Sequence, residues 1–282
     1  MNSSMISSLG LRGPVDANLS SRLATAAVGV PLLVGFVGWS PPWLFSAVFF
    51  ILVVEALREY FSMAFPSHRE NRWRGIIFGT CLSGAVFLKG GIDPLIWLNI
   101  VLLIAFSVYL FAAEPLADRL NHLATALLGA IYLGYFFPHW TLLFQLPNGR
   151  RWVFWLLCVV MTGDTAAYFV GKHFGVRKLA AELSPGKTIA GACAYSAGAL
   201  VGGIGASALL AARVHWSEIV ALSLALSVLA QIGDLFESWI KRVFNVKDSG
   251  RLLPGHGGLL DRIDSLVFPA VFTTAYLKVF HP

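Results

Sequence analysis

The chain has 282 residues, 57% of them hydrophobic and only 13% charged, with a mean hydropathy of +0.71. Soluble domains carry about a quarter charged residues, so a water-soluble enzyme is excluded and an all-α polytopic membrane protein is expected. The net charge of +6 would suggest nucleic acid in a soluble protein; here the cations fall in short loops between apolar runs, where anionic headgroups and topology account for them and no nucleic-acid partner is implied.

Residues 1–21 are polar and Ser-rich, lack a signal-peptide cleavage pattern and read as a mobile tail. A spanning helix needs roughly 20 mostly apolar residues. Nine candidate runs follow, at about 22–40, 43–64, 74–89, 93–113, 121–145, 152–174, 188–211, 216–243 and 263–280. They group into N-terminal helices (22–113) and a candidate catalytic region with charged loops (114–282). The third run is short, Pro138 is placed to bend the fifth, and the eighth is long enough for its last turn to leave the bilayer. Glu55, Arg58 and Glu59 near the end of the second read as an interfacial salt bridge. Cys81, Cys158 and Cys193 read as small buried hydrophobes. An N-in, C-out topology puts most of the 21 lysines and arginines inside, together with the loops after the sixth and eighth runs, on the face where nucleotides are found.

The sixth run contains Asp164, within Gly163-Asp164-Thr165-Ala166-Ala167-Tyr168. An ionisable group inside a span is a functional candidate by default. Next comes Ser184-Pro185-Gly186-Lys187-Thr188. It is not a P-loop: that motif needs a glycine where Ala181 stands, after a strand that is not expected here. Ser184 reads either as a plain helix cap or, with Lys187, Thr188 and the free amides of a helix start, as a phosphate cradle. The glycines at 191–205 suit close helix packing.

The densest chemistry lies between Asp234 and Asp264. Asp234, Ser238 and Lys241 share one helix face at i, i+4 and i+7, and Asp261 and Asp264 share another at i and i+3. Between them, the glycines of Pro254-Gly255-His256-Gly257-Gly258 permit positive φ and close backbone approach. Three carboxylates meeting beside Lys241, Arg242, Lys247, Arg251 and Arg262 suit Mg²⁺ and a polyphosphate. A solvated basic loop is the bland alternative.

The run Ser238-x-x-Lys241-Arg242, Lys247-Asp248 and His256-Gly257-Gly258-x-x-Asp261-Arg262-x-Asp264 resembles the signature of phosphatidate cytidylyltransferases (CDP-diacylglycerol synthases). Asp164-x-x-Ala167-Tyr168 and Ser184-Pro185-x-Lys187-Thr188 are similar to further elements of that family. The chain departs from it at Ile189-Ala190, where many relatives have an aromatic and then Glu or Gln.

The resemblance covers roughly residues 120–280. It implies that the cytidylyl group of CTP is transferred to phosphatidic acid, giving CDP-diacylglycerol and pyrophosphate. It further implies Mg²⁺ as one or two ions (with a monovalent ion as a variant) on Asp234, Asp261 and Asp264, and Asp261, Lys241 and Asp264 as the catalytic core. Ser184, Lys187, Thr188, Ser238, Arg242, Lys247, Asp248, His256, Gly257, Gly258 and Arg262 would contact substrate, with Arg262 either on phosphate or paired with Asp248. Asp164 would be a support or a further ligand. A bacterial inner-membrane location, contacts with membrane lipids and a homodimer also follow from the resemblance. The competing readings are a CTP-dependent polyprenol or phytol kinase, an ether-lipid cytidylyltransferase, and a cation or lipid transporter.

Overall fold

A computed structural model describes residues 29–87, 93–210, 214–250 and 257–281. The tail expected at 1–21, and His256 among the expected site residues, lie outside them. The chain divides into two units, Met1–Pro41 and Pro42–Pro282. The first holds α1 (Gly29–Trp39), a short apolar helix. The second is a bundle of α2 (Pro42–Ala64), α3 (Arg69–Phe87), α4 (Pro94–Leu110), α5 (Leu116–Gly129), α6 (His139–Gln145), α7 (Gly149–Phe174), α8 (Ile189–Gly205), α9 (Trp216–Val243) and α10 (Leu260–Phe280).

Four helical stretches are long and apolar enough to cross a membrane: Leu116–Gln145, Gly149–Phe174, Trp216–Val243 and Leu260–Phe280. The other expected runs also fall on helices, but are shorter or more polar. α3 opens on Arg69-Glu70-Asn71-Arg72, ahead of the expected residue 74, and α8 has 17 residues. α4 turns Ile100, Leu103, Ile104, Phe106 and Leu110 outward. A contiguous apolar face of this kind drives association in water, and lipid is the solvent that suits it. Cys81 and Cys193, expected inside, also face outward, and all three cysteines are free. Being small and apolar, they are as compatible with lipid as with a core.

The fifth run breaks where proline predicts it. After α5 the chain enters a π-helical stretch, Ala130–Phe136, then turns at Pro138 into α6. The wider π turn absorbs the mismatch that proline forces on the helix. Its Gly134 lies against the backbone of Gly79 on α3, with no room for a Cβ. Tyr132 from the same stretch packs edge-on against Phe236 of α9 and Phe268 of α10, at 5.0 and 5.7 Å between ring centres, and so ties the two signature helices to the front of the bundle.

α7 and α8 make the tightest pair. A Cβ on Gly198 would strike the Thr162 carbonyl and Ala166, and one on Gly202 the Cys158 carbonyl and Thr162. Trp155, fully buried on α7, donates its indole N–H to the Gly203 carbonyl at 2.9 Å. This is the small-residue packing expected for 191–205.

Among the described residues, one element departs from helix: an antiparallel hairpin of β1 (Lys178–Ala180) and β2 (Ser184–Thr188), in which Lys178 pairs with Thr188 and Ala180 with Ser184. Ser184 precedes a proline, which pushes it into extended backbone. The cap expected at Ser184 therefore sits at Thr188, whose Oγ1 accepts the Gly191 N–H at 3.1 Å. Contrary to expectation, a strand does precede Gly186-Lys187-Thr188. The tripeptide itself lies in β2 and does not wrap a phosphate as a P-loop would.

Candidate active site

Charged ends of several helices meet at one end of the bundle. α7, the hairpin, α8 and α9 form a cavity of about 400 Å³, whose polar lining includes Asp164, Lys172, Lys187, Thr188, Gln231 and Asp234. Asp164 and Asp234 stand about 14 Å inside the C-terminal ends of α7 and α9, at 1.5 Å per residue. The cavity leaves Asp164 exposed and Asp234 partly so, yet carboxylates this far along apolar helices still need a compensating charge. The Lys187 Nζ supplies it at 2.7 Å from Asp234 Oδ1. Asp164 faces Tyr195 and Ser265. Asp264 of α10 lies beside Asp234, because α9 carries Gly233 at the crossing. A side chain there would collide with the Asp264 carbonyl.

A second net lies one to two turns toward the end of α9. Lys241 Nζ is 2.7 Å from Glu237 Oε2 and 2.6 Å from Asp261 Oδ1. The other oxygen of Asp261 accepts the Ser249 amide at 3.1 Å and the Gly258 amide at 2.8 Å, with the Ser249 hydroxyl 3.0 Å away. Gly257 has φ +81°, the left-handed conformation that glycine supplies without strain. The chain thereby turns back so that Gly258 can cap the side chain of Asp261.

The N-cap of α10 is Leu259, which has no side-chain acceptor to offer the N–H groups of the helix start. Glu59 of α2 takes them instead. Its Oε1 accepts from Leu259 N and its Oε2 from Leu260 N, both at 2.9 Å, and the Ser249 hydroxyl lies 3.1 Å from Oε2.

The cytidylyltransferase family model matches residues 20–280, which include every candidate residue above. The chain belongs to the cytidylyltransferase family. It is 48% identical to the phosphatidate cytidylyltransferase of Brucella suis biovar 1 (strain 1330) over 134 residues, covering 48% of this chain and 49% of that protein. It is 40% identical to the Bacillus subtilis (strain 168) phosphatidate cytidylyltransferase over 162 residues, 54% and 57% of the two chains. Phosphatidate cytidylyltransferase 5, chloroplastic, of Arabidopsis thaliana matches at 30% over 298 aligned positions, 92% of this chain and 72% of that one. The match to the Brucella relatives thus spans about half of their length.

In this family member the expected site residues divide. Lys187, Thr188, Asp164 and Asp234 line one cavity. Lys241 and Asp261 form the neighbouring net, and Asp264 joins Asp234. Arg242 Nε donates to the Leu183 carbonyl at 3.2 Å and so ties α9 to the hairpin. Ser238 is buried on α9, whereas Lys247, Asp248 and Arg262 are exposed. Among the described residues no three His, Cys, Asp or Glu side chains are grouped so as to hold a metal by themselves. Asp234, Asp261 and Asp264 do not meet at one point, because Lys241, Ser249 and Gly258 hold Asp261 on its own.

Sequence reasoning missed Glu237 and Glu59 as parts of the site. Glu237 had a signal in its i, i+4 spacing to Lys241. Glu59 had a misleading one. Arg58 does form the expected bridge to Glu55, at 2.6 Å, but Glu59 turns inward to a partner 200 residues away.

Proposed function

We propose that the chain transfers the cytidylyl group of CTP to phosphatidic acid. The observation that carries this reading is the coincidence, within a family match over residues 20–280, of a cavity lined by Lys187, Thr188 and Asp234 with a second carboxylate, Asp264, beside Asp234.

In the reaction, an oxygen of the lipid phosphate attacks the α-phosphorus of CTP. The new P–O bond forms as the bond from the α-phosphorus to the bridging oxygen breaks, and pyrophosphate leaves with that electron pair. The nucleophile is already anionic, so the protein's task is alignment and relief of charge repulsion. Lys187 can move from Asp234 onto an incoming phosphate because the pair lines the cavity that the phosphate would enter. The Thr188 methyl and hydroxyl shape the same wall. Lys241 fixes Asp261, and Arg242 holds the hairpin over the cavity.

Two carboxylates placed side by side repel unless a cation or proton lies between them, and Lys187 offers Asp234 a single charge. Mg²⁺ usually takes one or two carboxylates and completes its shell with water and substrate phosphate. Asp234 and Asp264 therefore fit it as a pair, with Asp164 as a support. When bound, the ion would neutralise the α-phosphate and the leaving pyrophosphate. Asp261 acts on this site through the shared start of α10.

The full set of helices is proposed to cross the membrane with the N-terminus inside. The ends of α7 and α9 and the starts of α8 and α10 lie together on the proposed cytoplasmic face. The cations Lys172, Arg177, Lys178, Lys241, Arg242 and Lys247 cluster there, and a bacterial inner membrane would put that face toward CTP. The test offers purified protein phosphatidic acid in mixed micelles with CTP labelled at either the α or the γ phosphate. Label from the α position in lipid, and label from the γ position in pyrophosphate, is the expected result. Label from the γ position in lipid would make the protein a kinase and overturn the reading.

A further inference from the structure

The signature loop and α10 are held from outside the region that carries the family motifs. Glu59 sits on α2, outside the lining of the cavity, and is only 3% exposed. Its two oxygens receive two backbone amides and face one hydroxyl, all from the segment that carries Asp261. The surroundings are shaped for this carboxylate. A Cβ at Gly250 or Gly258 would press into it, so two glycines of the loop serve to admit Glu59. A carboxylate at a helix start also meets the positive end of the helix dipole, which with the two amides helps a buried acid to be tolerated there. Ser249 links it onward. Its hydroxyl, with one proton to share or give to either, lies 3.1 Å from Glu59 Oε2 and 3.0 Å from Asp261 Oδ2, and Asp261 in turn grips Lys241. The path from α2 to Lys241 is therefore a chain of direct contacts.

We propose that Glu59 is a positioning residue for the transfer reaction: it sets the start of α10, and through it the placement of Asp261, Lys241 and Asp264. The proposal rests on the cytidylyl-transfer reading for its kinetic consequence but not for its structural one. Glu59→Gln is the informative variant, since it keeps the size of the side chain while replacing an acceptor oxygen with a donor that faces an amide N–H. Outer supports of this sort are typically worth about 10–100-fold in function.

The expected result is a fall in kcat of roughly that size per folded molecule, with the KM for CTP changed less than about threefold. Ser249→Ala, which removes one link and leaves both amides paired, should lose less. Hydrogen exchange supplies the readout that needs no substrate. The amides of Ser249, Gly258, Leu259 and Leu260 should lose protection in Glu59→Gln, while those in the middle of α7 stay as they are. Unchanged protection together with wild-type kcat would overturn the proposal. So would a loss spread evenly over the whole bundle, because it would make Glu59 a general stabiliser. If wild-type protein makes no CDP-lipid, the reaction reading fails, and the exchange pattern alone still decides the role of Glu59.

Discussion

The two lysine–aspartate pairs of the site are alike in length and unlike in setting. Lys187–Asp234 and Lys241–Asp261 both close to within 2.7 Å. The first lines an open cavity, with a quarter to a third of each side chain exposed. The second is enclosed, at 14% and 13%, and has Glu237 as a third member at 1%. Exposure decides what a pair can do. A pair that lines a cavity can trade its internal partner for a ligand that enters there, whereas an enclosed one would leave uncompensated charge if it opened. The first pair is thus suited to meeting substrate and the second to holding the frame.

The strongest way to break this comparison is Lys241→Met. Losing the cation that Glu237 and Asp261 share should cost about 3–5 kcal/mol of stability, read as a large drop in melting temperature in detergent. Adding Glu237→Gln should recover part of it. If Lys241→Met melts like wild type, the enclosed pair is no frame, and the contrast between the two pairs disappears.

Next in size are Asp234→Asn and Asp264→Asn. Each should lower turnover about 10²–10³-fold, as expected for removing one element of charge stabilisation, while the melting temperature moves little. A calorimetric titration with Mg²⁺ and a non-hydrolysable CTP analogue gives a second readout, in which either variant should weaken the joint binding. Near-normal turnover at saturating Mg²⁺ would remove the carboxylate pair from the chemistry.

Lys187→Ala should do less. Its pair with Asp234 is partly solvated, so stability should fall by no more than about 1 kcal/mol. The KM for one phosphate-bearing substrate should rise roughly tenfold, equivalent to about 1.4 kcal/mol. An effect on kcat alone, with KM untouched, would place Lys187 in the frame and reverse the roles of the two pairs.

What the sequence disclosed follows from how local each signal is. Periodicity and hydropathy located the helices, and Pro138 located the break in the fifth. The i, i+3 and i, i+7 spacings put Asp261 with Asp264 and Asp234 with Lys241 on their helices. The hairpin at 178–188 escaped because its extended backbone depends on Ser184 preceding a proline and on cross-strand pairing with Lys178, neither of which has a hydrophobic period. The separation of Asp261 from Asp234 and Asp264 also escaped. It depends on which amides reach the Asp261 oxygens, and those come from Ser249 and a left-handed Gly257 turn. Glu59 was least legible of all, because its helix-capping role joins residues 200 positions apart.

A third acid, away from both pairs, sharpens the comparison by serving as a reference for pH. Glu114 precedes α5 and accepts from Asn71 at 2.9 Å, with His122 Nδ1 at 2.6 Å and Arg74 at 3.3 Å. Burial pushes its carboxyl up, but the bonds from His122 and Asn71 and the nearby charges of His122 and Arg74 outweigh that and hold it below the usual glutamate range. A carboxyl whose folded pKa is depressed adds stability that is present above its unfolded value and is lost as pH falls through the folded one. Glu114→Gln should therefore lower the melting temperature by a few degrees at neutral pH, about what 1 kcal/mol does in a chain of this size. The gap from wild type should close as pH drops through the acidic range, with KM and kcat per folded molecule unchanged throughout. A gap that stays constant with pH would show that the Glu114 contacts act by packing alone. In that case any acid loss of stability in the wild type would come from other bonded carboxylates, such as those around Lys187 and Lys241 or Glu59 at the start of α10.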